Sequence, residues 1–176
     1  MNYHNITYPD QNNGDGLRVV LWLSGCSHHC KGCQNPQTWN SNSGISFDEN
    51  AKKELFEELE KDYISGITFT GGDPLHENNL NEVYKLISEI KLLYPNKTIW
   101  LYSGYTWEEI CNEDYIVLEE YFTLRQAIVS QCDVLVEGEY KEELRDITLK
   151  WRGSSNQKVL DVQESLKQNK VILYCD

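Results

Sequence analysis

The 176-residue sequence predicts an α/β fold. Two features carry that expectation. Apolar runs rich in strand formers alternate with amphipathic helical stretches, and four of those runs stop at glycine-bearing turns: Ser24-Gly25, Gly71-Gly72, Ser103-Gly104 and Glu137-Gly138. The pattern of strand, glycine loop and helix repeats, which calls for parallel strands joined by right-handed crossovers. The length suits one domain, residues 1–176, and falls well short of the roughly 250 residues of a closed eight-stranded barrel.

In chain order, residues 3–8 read as a short strand and 10–16, crowded with Gln, Asn and Gly, as a loop. Leu17 to Leu23 is nearly all apolar and reads as a buried strand that delivers Ser24-Gly25 to the next loop. Ser46 with Glu49 offers a capping box for a helix from Phe47 to about Asp62, whose apolar positions are Ala51, Leu55, Phe56 and Leu59. Gly66 to Thr70 is the next strand. The helix after it, about 78 to 93, places Leu80, Val83, Tyr84, Ile87 and Ile90 on one face and stops at Pro95-Asn96. Lys97 to Tyr102 is a third strand, and Thr106 caps a short helix carrying Trp107 and Ile110. A longer helix is expected over about 114–130 and a fourth strand over 133–136, followed by the polar loop 149–157, a strand at 158–160 and a short helix. Val171 to Tyr174 either adds a strand or covers an edge.

Three of the six cysteines, Cys26, Cys30 and Cys33, fall within eight positions between the first long strand and the first helix. Thiols this close read as ligands of a soft metal centre before disulfides. Zinc usually draws four ligands from two separated pairs, whereas here one position stays open. In an iron-sulfur cluster each cysteine would hold one iron, leaving a fourth free to bind a small molecule. Zinc completed by His28 or His29 is an alternative, made awkward by their nearness to Cys26 along the chain. A non-catalytic electron carrier is another, although carriers normally use four cysteines. Cys111, Cys132 and Cys175 are scattered in or near apolar segments and read as small buried hydrophobes.

Gly71-Gly72-Asp73-Pro74 is the second signal. Glycines at a strand end let the backbone approach a ligand, and a neighbouring carboxylate can accept from an ammonium group. The same four residues also make an ordinary turn, with Asp73 as cap.

The spacing Cys26-xxx-Cys30-xx-Cys33 resembles the motif of the radical S-adenosylmethionine enzymes, and Gly71-Gly72-Asp73 resembles their Gly-Gly-Glu motif with Asp in place of Glu. Together with Asn2-Tyr3-His4, Gly25 to Asn35, Thr38-Trp39, Gly71 to His76 and Trp151 to Gln157, these motifs resemble the family of activating proteins of anaerobic ribonucleoside-triphosphate reductases. That resemblance spans residues 2 to 160 and leaves 161–176 as a C-terminal extension. It implies a partial parallel α/β barrel, open at one side. A four-iron four-sulfur (4Fe-4S) cluster would be held by Cys26, Cys30 and Cys33, with S-adenosylmethionine on the open iron. An electron from the cluster would release a 5′-deoxyadenosyl radical, which would take a hydrogen atom from a glycine of the reductase. The resemblance further implies S-adenosylmethionine contacts from Gly32, Cys33, Gln34, Gly72 and Asp73, and from Ser103, which a turn would equally require. Reduced flavodoxin or a similar low-potential donor would supply the electron. Activation of pyruvate formate-lyase or another glycyl-radical enzyme is the rival reading.

A net charge of −12 with no local Lys/Arg cluster argues against nucleic acid as a partner. No apolar run reaches the roughly 18 residues of a membrane span, and Met1 to Ile6 lacks the pattern of a signal sequence, so a cytoplasmic location is expected. Residues 147–176 are mildly basic, with 5 Lys/Arg against 3 Asp/Glu. Arg152 to Gln157 reads either as a plain loop or as a receptor for a partner's chain end.

Overall fold

The computed structural model describes residues 1–111 and 119–175. In chain order the elements are β1 (Asn2–Asp10), β2 (Arg18–Leu23), β3 (Ile45–Ser46), α1 (Glu49–Leu59), β4 (Gly66–Gly71), α2 (Leu80–Leu93), β5 (Thr98–Tyr102), α3 (Trp107–Cys111), α4 (Glu119–Val129), β6 (Val134–Glu137), β7 (Lys158–Asp161), α5 (Val162–Gln168) and β8 (Leu173–Cys175). All eight strands share one open sheet in the order β3-β1-β2-β4-β5-β6-β7-β8.

Only the central strands run parallel. β2, β4, β5 and β6 pair in parallel, while β1 and β3 on one flank and β7 and β8 on the other are antiparallel. The parallel strands expected from the repeated strand, loop and helix are β2, β4, β5 and β6, and the flanks make the sheet mixed because β1 and β7 reach their neighbours without a helical crossover. Val171 to Tyr174 does add a strand: β8 pairs with β7, with Val159 opposite Cys175.

Side chains alternate across this sheet with period two. Val19, Leu21, Leu23, Ile67, Phe69, Ile99 and Leu101 point to the helical side and are fully buried in the main core with Leu55 and Leu59 of α1 and Leu80, Val83, Ile87 and Ile90 of α2. Each such side chain contributes about 1.5–3 kcal/mol of burial. On α2, Leu86 is buried where Tyr84 was expected, and Tyr84 is exposed. The cap of α1 is also corrected: the Asp48 carboxylate accepts from Asn50 N and Ala51 N, and Ser46 belongs to β3. Thr106 does cap α3, and does so as a box, with Thr106 N donating to Glu109 Oε2 at 2.7 Å and Glu109 N to Thr106 Oγ1 at 3.2 Å. The helix expected over 114–130 is seen as Glu119–Val129; residues 112–118 lie outside the described residues.

The other face of the sheet carries Arg18, Thr68, Thr98, Trp100 and Tyr102. Arg18, the first residue of β2, is fully buried. Its Nε donates to Thr68 Oγ1 at 2.7 Å, one terminal nitrogen to Asp15 O and Thr98 Oγ1, and the other to Ile67 O and Thr98 O. Trp100 lies beside the guanidinium at 5.3 Å and meets Trp151 and Tyr174 edge-on at 4.8 and 5.2 Å. Near the N-terminal end of the parallel strands one hydrogen-bonded cation thus sits against an aromatic cluster to which Tyr174 of β8 belongs, beside a cavity of about 440 Å³ lined by Asp15, Thr98, Trp100 and Tyr174.

Candidate active site

The cysteine loop starts where β2 ends. Gly25 N donates to Thr38 O at 2.7 Å and Cys26 N to Trp39 O at 3.0 Å, so the residues that follow the loop clasp its base. Inside it, His29 (φ 49°) and Gly32 (φ 73°) hold left-handed backbone conformations, and Cys33 N donates to Cys30 O. The result is that Cys26, Cys30 and Cys33, each half-buried, line one cavity of about 510 Å³. That cavity lies over the ends of β4, β5 and β6, where Gly71-Gly72, Ser103-Gly104 and Gly138 also line it.

Gln34, Gly72, Asp73 and Ser103, all read from sequence as ligand contacts, are brought together in the same lining. Gly32 is not among the lining residues; it faces the Glu142 carboxylate, which occupies the space a β-carbon would need. Gly72 has no such room either, since a β-carbon there would stand 2.5 Å from Gly25 O. Its amide donates to Leu23 O at 2.7 Å, so what Gly72 can offer a ligand is its carbonyl.

Asp73 is 2% exposed and heavily engaged. Oδ1 accepts from Leu75 N at 2.8 Å and from the Ser103 hydroxyl at 2.9 Å, and Oδ2 accepts from Gly104 N at 2.9 Å. The carboxylate is therefore both the turn cap and a clasp between the ends of β4 and β5. His28 Nε2 stands 3.0 Å from Asp73 Oδ2, and His28 Nδ1 lies 2.9 Å from Glu139 Oε1. Burial opposes a charge on His28, but the two carboxylates outweigh it and raise its pKa to about 9. The ring leans edge-on against Tyr105 at 4.6 Å.

Burial, then the nearby charge of Asp73, pushes the Cys26 thiol up to about 11, although the amides of His28 and His29 partly offset this. Burial likewise raises Cys30, which takes a hydrogen bond from the Tyr140 amide, and Asn35 N donates to Cys33 Sγ at 3.3 Å. The Cys26 and Cys30 thiols are thus neutral on their own and would become thiolates on metallation, with amide donors already aimed at the sulfurs. Among the described residues no three His, Cys, Asp or Glu side chains converge on a single metal ion. The thiols share a cavity instead, which suits a group of several irons with one thiolate each. This donor set fits a 4Fe-4S cluster.

Several lining residues were not singled out from sequence: Asn12, Asn13, Trp22, Thr70 and Tyr102. Trp22 and Tyr102 had a usable signal, because they alternate with the core residues of their strands and so face the other way. Asn12 and Asn13 had none, being loop residues whose position depends on tertiary structure.

An open sheet with thiols, glycine turns and a cavity at the C-terminal ends of its parallel strands defines a partial barrel of the radical S-adenosylmethionine type. Residues 12–160 match the family described as 4Fe-4S single cluster domain. The chain is 42% identical to the anaerobic ribonucleoside-triphosphate reductase-activating protein of Enterobacteria phage T4, over 90% of this chain and 93% of that protein. Proteins of the same description from Vibrio cholerae serotype O1 and Escherichia coli K12 are each 38% identical, over 89% and 90% of this chain and 96% and 97% of their own length. The chain belongs to the family of anaerobic ribonucleoside-triphosphate reductase-activating proteins.

Proposed function

We propose that this chain activates an anaerobic ribonucleoside-triphosphate reductase by reductive cleavage of S-adenosylmethionine and removal of a hydrogen atom from a glycine of the reductase, leaving a glycyl radical. The observation that carries this reading is that Cys26, Cys30 and Cys33 line the same cavity as Gly72, Asp73 and Ser103 in a chain of this family. A bound 4Fe-4S cluster supplies the electron that splits S-adenosylmethionine into methionine and the 5′-deoxyadenosyl radical.

The protein's own residues have four tasks. The three cysteines hold three irons. Gly72 presents a carbonyl to which the methionyl ammonium can donate, while Asp73 serves it by locking the turn and the end of β5 through Ser103 and Gly104. Gln34 and Ser103 line the remaining wall. The incomplete sheet leaves a side through which a segment of the partner can enter, as a radical transfer between two proteins requires. Reduced flavodoxin or a similar low-potential donor is the proposed electron source, and the reducing cytoplasm the proposed setting. Among the described residues no helix is long and apolar enough to cross a membrane.

Anaerobic reconstitution with iron and sulfide, followed by incubation with reductase, a reductant and S-adenosylmethionine, tests this. Methionine and 5′-deoxyadenosine should form together with a glycyl radical signal on the reductase by electron paramagnetic resonance, and Cys30→Ala should yield none of them. Zinc without labile sulfide, or a glycyl radical only on another enzyme such as pyruvate formate-lyase, would overturn the assignment.

A further inference from the structure

We propose that Leu144 and Ile147, on the connection from β6 to β7, form the surface on which the reductase docks when it sets its glycine into the cavity. The inference rests on the proposed transfer to that partner and says where the two proteins meet. Hydrogen-atom transfer needs the reacting atoms about 3–3.5 Å apart, so the glycine must enter the cavity and the protein around it must bear on the rim. The rim offers one exposed apolar pair. Leu144 and Ile147 sit between Tyr140 and Leu149, two residues that line the cavity, and are 40% and 84% exposed. No other strongly exposed large hydrophobic among the described residues lies on a loop that borders the cavity.

The loop that carries the pair is held in shape by its own hydrogen bonds. Arg145 bridges to Ser154, Asp146 N donates to Gly153 O at 3.2 Å and Ser155 N to Leu144 O at 2.9 Å. Asp146 Oδ1 accepts from Thr148 N at 2.8 Å and from the Thr148 hydroxyl at 2.7 Å, so the backbone turns at Ile147 and keeps that side chain in water. Lys141, Arg145 and Lys150, all exposed, flank the pair along the chain, which gives an apolar centre with a basic border. Charge points the same way. Residues 138–158 carry five Lys/Arg against four Asp/Glu in a chain of net charge −12, so an anionic protein is repelled least along this connection. The occupant is therefore a reductase surface, beside the glycine segment, that is apolar at its centre and acidic around it.

The test measures equilibrium binding of the cluster-loaded protein to the reductase by isothermal titration calorimetry. Wild type is compared with Ile147→Asp, with Leu144→Ser combined with Ile147→Asp, and with a control that combines Leu92→Ser and Leu93→Asp. The control alters another exposed leucine pair, 79% and 53% exposed, at the C-terminal end of α2, where the chain turns into the start of β5 and away from the cavity. Ile147→Asp should weaken the complex about 10-fold and the double variant about 100-fold, with the control within about twofold of wild type. 5′-Deoxyadenosine formation with a chemical reductant and no reductase should stay within about twofold in all of them, as the cavity is untouched. Unchanged affinity in the Leu144 and Ile147 variants, or equal weakening by the control, overturns the assignment. So does an intact complex with loss only of flavodoxin-driven cluster reduction, which would make this the electron donor's surface. A glycyl radical on the reductase with wild type keeps these failures separate from the proposed function; its absence there brings down both.

Discussion

At their N-terminal ends the parallel strands converge on Arg18, whose five donor contacts leave no guanidinium nitrogen unpaired. At their C-terminal ends the same strands break off at glycines, and the cavity above them is lined by three thiols and by side chains with buried polar atoms that lack a hydrogen bond, His28 Nε2, Tyr102 Oη and Arg152 Nε. Both ends contain buried polar groups, so polarity alone does not separate them. The difference is satisfaction. The floor matches each Arg18 nitrogen to an acceptor and so stabilises the sheet, whereas the lining of the mouth leaves buried polar atoms unmatched.

The contrast breaks most sharply at a cysteine. Cys30→Ala should abolish cluster assembly and 5′-deoxyadenosine formation, read as labile sulfide and by chromatography, while the cluster-free protein unfolds within about 1 kcal/mol of wild type in urea because the thiol is half-buried and makes few packing contacts. Arg18→Met should do the opposite. It removes the buried donors of three backbone carbonyls and two hydroxyls, the hydroxyls keeping their own bonds to Asn13 O and Ser65 O, and a loss of about 3–5 kcal/mol is expected in urea unfolding, with residual S-adenosylmethionine binding following the folded fraction.

A third experiment uses pH on the cluster-free protein. His28 has its folded pKa raised to about 9 from 6.5, so its contribution is fully present below pH 6.5 and is lost as pH climbs through about 9. Allowing for the exposure of Glu139, wild type should lose about 2 kcal/mol more than His28→Gln across that window, measured by urea midpoints. The smallest effect is expected at Tyr174, which is 39% exposed: Tyr174→Ala should cost about 1 kcal/mol through lost contacts with Trp100 and Trp151 and leave cluster content unchanged.

Much of the mouth was legible in the chain because its parts are local. The three cysteines, the strand before them and the Gly71-Gly72 turn lie within short windows where spacing and hydrophobic period speak directly. The floor was not legible. Arg18 reads as one polar residue inside an apolar run, and nothing nearby says that Thr68 and Thr98 will surround it, although a charge in such a run must find partners somewhere. Trp100, Trp151 and Tyr174 meet only because β7 and β8 return antiparallel, and short antiparallel edge strands carry a weaker sequence signal than a crossover unit. Asp73 shows a mixed outcome: the residue was visible, but its engagement with Ser103 and Gly104 depends on the neighbouring strand.

The connection from β6 to β7 leans on the cysteine loop at three points: Glu139 on His28, the Tyr140 amide on Cys30, and Glu142 against Gly32. These two segments are far apart in sequence yet fit each other as a lock fits its own key. A chimera that took its cysteine loop from one relative and this connection from another would inherit matching motifs and mismatched surfaces. Any side chain introduced at position 32 would strain its left-handed backbone and displace the Glu142 carboxylate. The two stretches are therefore one heritable unit, and exchanging them together is the way to transplant the site.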